Sequence, residues 1–249
     1  MTLQPSTQNG ISFLVGDNTA ESIILSSGQL SNYPGGLLAL DGNDTVIGSE
    51  NSEFINGNTG SDSLIGNGGN DTLRGGKQDD ILDGGSGNDF LAGDLDQDIV
   101  RGGDGNDSLY GGKNSDKLFG DAGDDILSGD KDNDTLTGGT GKDTFVLVTD
   151  GGLDVITDFE NSTDIIKLPD GVTFNDILLQ PLSGNTLVTV KSTGEQLAQI
   201  NNISVSNLTA ASFGGTTSNI IPDILDIPDI PSIPGIPGIP TIPVSSNSL

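Results

Sequence analysis

The chain has 249 residues, no histidine, no cysteine, 38 glycines and only 4% aromatic residues. Without imidazole or thiol it has no Ser-His-Asp or Cys-His catalytic set, no HExxH zinc site and no disulfide framework. Its 36 acidic against 9 basic residues leave a net charge of −27, which repels nucleic acid and anionic membranes and favours multivalent cations.

The chain begins MTLQPSTQNG, without the basic segment and apolar stretch of a secretory signal peptide, so an exported form is expected to use another route. No apolar run approaches membrane-spanning length. Residues 1–38 read as an N-terminal cap. Within it, GDNTAESII (16–24) looks like a degenerate repeat, with Glu21 and Ile23 in the acidic and apolar places. A stretch containing Tyr33-Pro34-Gly35-Gly36 then interrupts the pattern.

From Ala39 to Val146 the sequence repeats every nine residues, twelve times, without an insertion. The sixth position is always acidic: Asp44, Glu53, Asp62, Asp71, Asp80, Asp89, Asp98, Asp107, Asp116, Asp125, Asp134 and Asp143. The eighth is always apolar, from Val46 and Ile55 to Leu136 and Phe145, and the first is glycine in eleven of the twelve. GGSGNDFLA (84–92) and GGDGNDSLY (102–110) carry the pattern in full. Three residues around each inward apolar side chain are expected to form a strand, and the six glycine- and asparagine-rich residues a turn. Two repeats complete one coil.

One core side chain per nine residues is thin. Burying it contributes roughly 1.5–3 kcal/mol, against about 1–2 kcal/mol for ordering each backbone residue. A further stabilising agent is needed, and calcium fits. It takes oxygen ligands in numbers that a carboxylate and several turn carbonyls from two stacked repeats can supply. Six turns on each edge leave gaps for at most about ten ions. The region carries 23 acidic and seven basic residues, a net of −16, which about ten divalent cations would offset.

These nonapeptides resemble the GGxGxDxUx repeats of the RTX, haemolysin-type calcium-binding family. The resemblance implies an all-β chain, a right-handed parallel β-roll (β-solenoid) of about six coils that folds when calcium binds, followed by a β-rich C-terminal cap. It also implies a secreted protein that leaves the cell by a one-step, type I route with an uncleaved C-terminal signal. The twelve sixth-position acids are then the candidate metal ligands.

The fourth position departs from the family's glycine in an ordered way, once on one edge and four times on the other. One edge reads Asn51, Gly69, Gly87, Gly105, Gly123, Gly141; the other reads Gly42, Gly60, Gln78, Asp96, Asn114, Asp132. The second also places Lys77, Lys113 and Lys131 at the third position. The first edge is expected to hold the tighter calcium row.

Residues 147–219 leave the period and read as a β-rich cap, with predicted strands over 154–159, 164–168 and 186–190. Its segments GGLDVITDF, DIIKL, GEQLAQI and LTAASF resemble the region that often follows RTX repeats. Residues 220–249 form an Ile-Pro tail with proline at nearly every third position from 221 to 244, a spacing that suits polyproline II.

Gly139-Thr140-Gly141-Lys142-Asp143 is not a phosphate loop, because Leu136 stands at the first glycine place and Asp143 at the hydroxyl place. No catalytic constellation appears, so the chain is expected not to be an enzyme. The leading expectation is an extracellular, calcium-binding structural or adhesive protein with a cell-surface or matrix partner. The alternatives are a free-standing export or folding module, an ice-binding roll and a cryptic hydrolase. Ice binding needs a regular outward row of Thr and Asn, whereas the third-position residues are mixed.

Overall fold

The computed structural model describes residues 3–214. It is an all-β parallel roll in which successive strands alternate between two sheets. One sheet stacks Ile11–Val15, Leu37–Asp41, Phe54–Thr59 and every second strand thereafter to Ile165–Lys167. The other stacks Ser22–Ile24, Thr45–Ile47, Ser63–Gly68 and every second strand to Asp154–Ile156 and then Gln196–Ile200. Partners within the repeats are one coil, or two nonapeptides, apart: Leu91 pairs with Leu109, and Val100 with Leu118.

The eighth-position residues build the core. Val46, Ile55, Leu64 and the nine that follow to Phe145 are all 0% exposed. One side chain per rung from each sheet meets along the axis, so the core is a single column that grows with the stack. Leu14, Ile23 and Leu37 extend this column at one end, and Ile156 and Ile166 at the other. The roll therefore runs to about seven turns rather than about six. The extra turns come from flanking segments that have lost the nine-residue spacing but kept an inward apolar residue.

Strands are longer and turns shorter than the spacing suggested. A full strand such as Phe90–Leu95 covers six residues, leaving Asp96, Gln97 and Asp98 as the turn. Pairing continues through the second-position glycines, as Gly85 with Gly103, because a stacked parallel ladder needs only a rung of the same shape beneath it. The first-position glycine interrupts the pairing, with Gly93 unpaired between Ala92 and Asp94. Curvature is thus absorbed inside the strand.

After the roll, Ile177–Leu182 and Asn185–Val190 form an antiparallel hairpin, and the latter pairs antiparallel with Gln196–Ile200. Gln196–Ile200 runs parallel to Asp154–Ile156, attaching the hairpin to the end of the second sheet. The predicted strands at 154–159 and 164–168 shorten to Asp154–Ile156 and Ile165–Lys167. The segment LTAASF contains a short 3-10 helix, Ala210–Phe213, whose Phe213 packs on Phe174 with ring centroids 5.5 Å apart. Two terminal strands carry proline: Pro5 in the antiparallel Gln4–Gln8 and Pro181 in Ile177–Leu182. A strand edge without a donor at that position resists pairing with another chain. The Ile-Pro tail lies outside the described residues.

Candidate metal centre

Each turn places its acid where the strand re-enters the roll, two residues before the core side chain. All twelve are buried, from 1% exposed at Asp44 to 7% at Glu53. Buried carboxylates need partners, and here one oxygen has one. The backbone N–H of each acid donates to Oδ1 of the acid one coil later. Along one edge Asp62 donates to Asp80 at 2.7 Å, and Asp80 to Asp98, Asp98 to Asp116 and Asp116 to Asp134 at 2.8 Å. Along the other, Glu53 donates to Asp71, Asp71 to Asp89 and Asp89 to Asp107 at 2.7 Å, and Asp107 to Asp125 at 2.8 Å.

The second carboxylate oxygen is the unexplained group. In Asp44, Asp62, Asp71, Asp80, Asp89, Asp98, Asp107, Asp116, Asp125 and Asp134, Oδ2 is buried without a hydrogen-bond partner. It lies in a cradle left by the first-position glycine. A Cβ built on Gly57 would stand 2.2 Å from Oδ2 of Asp62 and 2.7 Å from the carbonyl oxygen of Gly75, one coil further on. On the other edge, a Cβ on Gly66 would stand 2.3 Å from Oδ2 of Asp71 and 2.5 Å from the carbonyl oxygen of Gly84. A carboxylate oxygen and a carbonyl from the next coil thus converge at most of these turns. This explains why the first position is glycine, which the repeat pattern alone did not.

Two repeat acids differ. Glu53 takes the backbone N–H of Ser49 at 2.9 Å and a short hydrogen bond from the Ser49 hydroxyl, so its longer side chain is satisfied locally. Asp143 closes its edge of the repeat array, where its N–H donates to Asp164 at 3.0 Å. The acid ladders also extend beyond the twelve. Glu21 donates its N–H to Asp44 at 2.8 Å, and Asp134 donates to Asp154 at 3.1 Å. Asp154 and Asp164 lie outside the nine-residue frame, but each keeps a visible signal, an acid two residues before an inward isoleucine (Ile156 and Ile166).

Burial raises these acids above the ordinary carboxylate range, partly opposed by the backbone N–H each accepts and reinforced by neighbouring carboxylates. Asp62 and Asp107 are pushed up to about 6, Asp71, Asp116 and Asp125 to about 7, Asp80 to about 8 and Asp98 to about 9. A cation close by would favour the ionised form of each and lower its value.

Among the described residues no three acidic side chains converge. A site here would have one or two carboxylates and otherwise backbone carbonyls, with no nitrogen or sulfur ligand. That donor set suits a hard cation of high coordination number, such as calcium, rather than zinc or copper.

Comparison with known proteins agrees with this geometry. The family model of the RTX calcium-binding nonapeptide repeat (4 copies) matches in seven overlapping stretches that together span residues 37–156. No curated protein matches. Among solved structures, the chain is similar to the crystal structure of the extracellular lipase LipA from Serratia marcescens. That likeness has 16% identity, a TM-score of 0.30 and coverage of 70% of this chain and 40% of the lipase chain. Residues 37–156 thus carry calcium-binding nonapeptides of the RTX, haemolysin-type repeat family.

Proposed function

We propose that this chain is an extracellular structural or adhesive protein whose roll folds on calcium after export by a type I route. The observation that carries the reading is the double row of buried carboxylate oxygens without partners, most of them beside a glycine carbonyl from the next coil. A buried carboxylate in that state is costly, and a divalent cation supplies both the opposite charge and the missing coordination.

In this reading the sixth-position acids from Asp44 to Asp143 hold the ions, with up to about ten accommodated between stacked turns. Oδ1 of each acid ties its coil to the preceding one through the backbone, and Oδ2 faces the ion. Calcium supplies the positive charge that links successive carboxylates. The protein's own contribution is positional: glycine at the first place keeps the cradle open, and the inward leucine two residues on fixes the acid in register. The role is non-catalytic, and the macromolecular partner is a component of a cell surface or matrix.

Far-ultraviolet circular dichroism of the metal-free protein during a calcium titration, with magnesium as control, tests this reading. A cooperative gain of strand signal with calcium alone is expected. A strand spectrum complete in chelator and unmoved by calcium would overturn it.

A further inference from the structure

The two edges of the roll are built from different turns. On the glycine edge, Gly87, Gly105, Gly123 and Gly141 have φ between +131° and +141°, a region closed to residues with a side chain. A Cβ on Gly105 would lie 1.6 Å from the carbonyl oxygen of Gly87, and one on Gly123 would lie 1.7 Å from that of Gly105. The fourth-position carbonyls therefore stand directly under the next rung and form a continuous column of oxygens.

The opposite edge leaves this geometry after Gly60. Gln78, Asp96, Asn114 and Asp132 have φ between +73° and +78°, the ordinary left-handed region that Asn and Asp tolerate. Their side chains join the rungs. The N–H of Gln78 donates to Oδ2 of Asp96 at 3.0 Å, and the N–H of Asn114 donates to Oδ2 of Asp132 at 3.1 Å. The side-chain amide of Asn114 donates to Oδ1 of Asp96 at 3.2 Å. On the glycine edge the corresponding N–H donates instead to a third-position carbonyl, as Gly105 does to Ala122 at 2.8 Å, and turn side chains join the coils from the fifth position, as where the N–H of Asn106 donates to Oδ1 of Asn88 at 2.9 Å. The edge with side chains also carries Lys77, Lys113 and Lys131, against Lys142 alone in the turns of the glycine edge.

We infer that the roll has two unequal calcium rows: a tight one along the glycine edge from Gly69 to Gly141, and a weak one along the edge from Gln78 to Asp132, where a ladder of fourth-position side chains adds to the metal-free ties between coils. This rests on the calcium reading proposed above and deepens it. The cradle oxygens of Asp80, Asp98 and Asp116 keep the second row competent to bind, but its turns have a different backbone conformation at the fourth position and carry hydrogen-bonded side chains there and lysines at the third. Each change lowers the gain from an ion.

The test compares Asp107→Asn, on the glycine edge, with Asp98→Asn, on the ladder edge, in the full chain. Asparagine keeps the acceptor oxygen for the preceding coil and removes the charge. Bound calcium is counted by equilibrium dialysis at low and at saturating free calcium, with circular dichroism reporting the fold. Asp107→Asn is expected to lose at least one tightly bound ion per chain and to shift the folding midpoint several-fold to higher calcium. Asp98→Asn is expected to keep the tight count and lose ions only near saturation. If Asp107→Asn does not fold, the double variant Asp96→Gly with Asn114→Gly serves instead, and it should raise the tight count. Equal loss from both asparagine variants, or no gain in the double variant, overturns the inference while leaving calcium-coupled folding intact. A wild-type chain that binds no calcium overturns both.

Discussion

The backbone N–H of Asp89 donates to Oδ1 of Asp107 at 2.7 Å, one coil away, while Oδ2 of Asp107 is buried with no partner. One side chain thus has two separable duties, tying coils together and offering charge to an ion. Asp107→Ala removes both and leaves the Asp89 N–H unsatisfied, which costs about 1–3 kcal/mol in addition to the lost ion. Asp107→Asn removes only the charge. Thermal melts at saturating calcium should rank wild type above the asparagine variant and the alanine variant last. If the two variants melt together, the coil-to-coil hydrogen bond contributes nothing.

Gly105 and Gly171 separate steric from conformational requirements. Both have positive φ, +141° and +78°, but a Cβ on Gly105 strikes the Gly87 carbonyl, whereas one on Gly171 meets nothing within 4 Å. Gly171→Ala is expected to cost about 1 kcal/mol, the low end of left-handed strain. Gly105→Ala must move the rung as well, so about 3 kcal/mol or more is expected. Urea midpoints at saturating calcium measure the difference, and comparable losses would show that the carbonyl column yields easily.

Two ion pairs on the outer faces make a similar contrast. Arg74 donates to Asp94 through Nε at 3.0 Å and through a second, shorter bond, with both side chains 10% exposed. Arg101 pairs with Asp121 at 2.5 Å and lies 4.9 Å from the Phe119 ring centroid, in a setting 43% and 38% exposed. Arg74→Met strands a largely buried carboxylate and should cost about 3 kcal/mol. Arg101→Met should cost about 1 kcal/mol or less. The same urea midpoints at saturating calcium decide, and a larger loss at Arg101 would contradict this assignment of burial.

The core column and the repeat acids were legible because one side chain in nine must point inward and one turn residue must carry charge; twelve uninterrupted repeats make such periods unmistakable. The flanking coils were harder to read. Leu14, Ile156 and Ile166 occupy the same column, but a parallel ladder tolerates loops of different length between rungs as long as the strands stack. The spacing from Asp143 to Asp154 is eleven residues, which hides Asp154 from a search in steps of nine. The six-residue strands were missed for a related reason: glycine lowers strand propensity in isolation, yet here the rung beneath supplies the pairing. The unpaired Oδ2 atoms and the two turn geometries depend on how coils stack and have no signature in the order of residues, beyond the changed fourth position from Gln78 to Asp132.

Acidity provides the last prediction. Burial holds the repeat aspartates above their ordinary value of 3.8, from about 6 at Asp62 and Asp107 to about 9 at Asp98. A folded-state value above the unfolded one means that the metal-free roll binds protons more tightly than the unfolded chain does. Its stability is therefore greatest below the unfolded value and falls as pH rises through the folded values, roughly from pH 4 to pH 9. In chelator, the strand signal should be strongest at about pH 4 or below and decline toward pH 9. Calcium acts in the opposite direction wherever the metal-free roll is folded and protonated, because the ion displaces those protons: its midpoint there should move to lower concentration as pH rises, by up to about tenfold per unit for each proton released per ion bound. Circular dichroism titrations at pH 5, 6, 7 and 8, with proton release followed in weak buffer, measure both trends. A midpoint constant across that range with no proton release would mean that the aspartates are already ionised in the metal-free chain, and that burial alone does not set their charge.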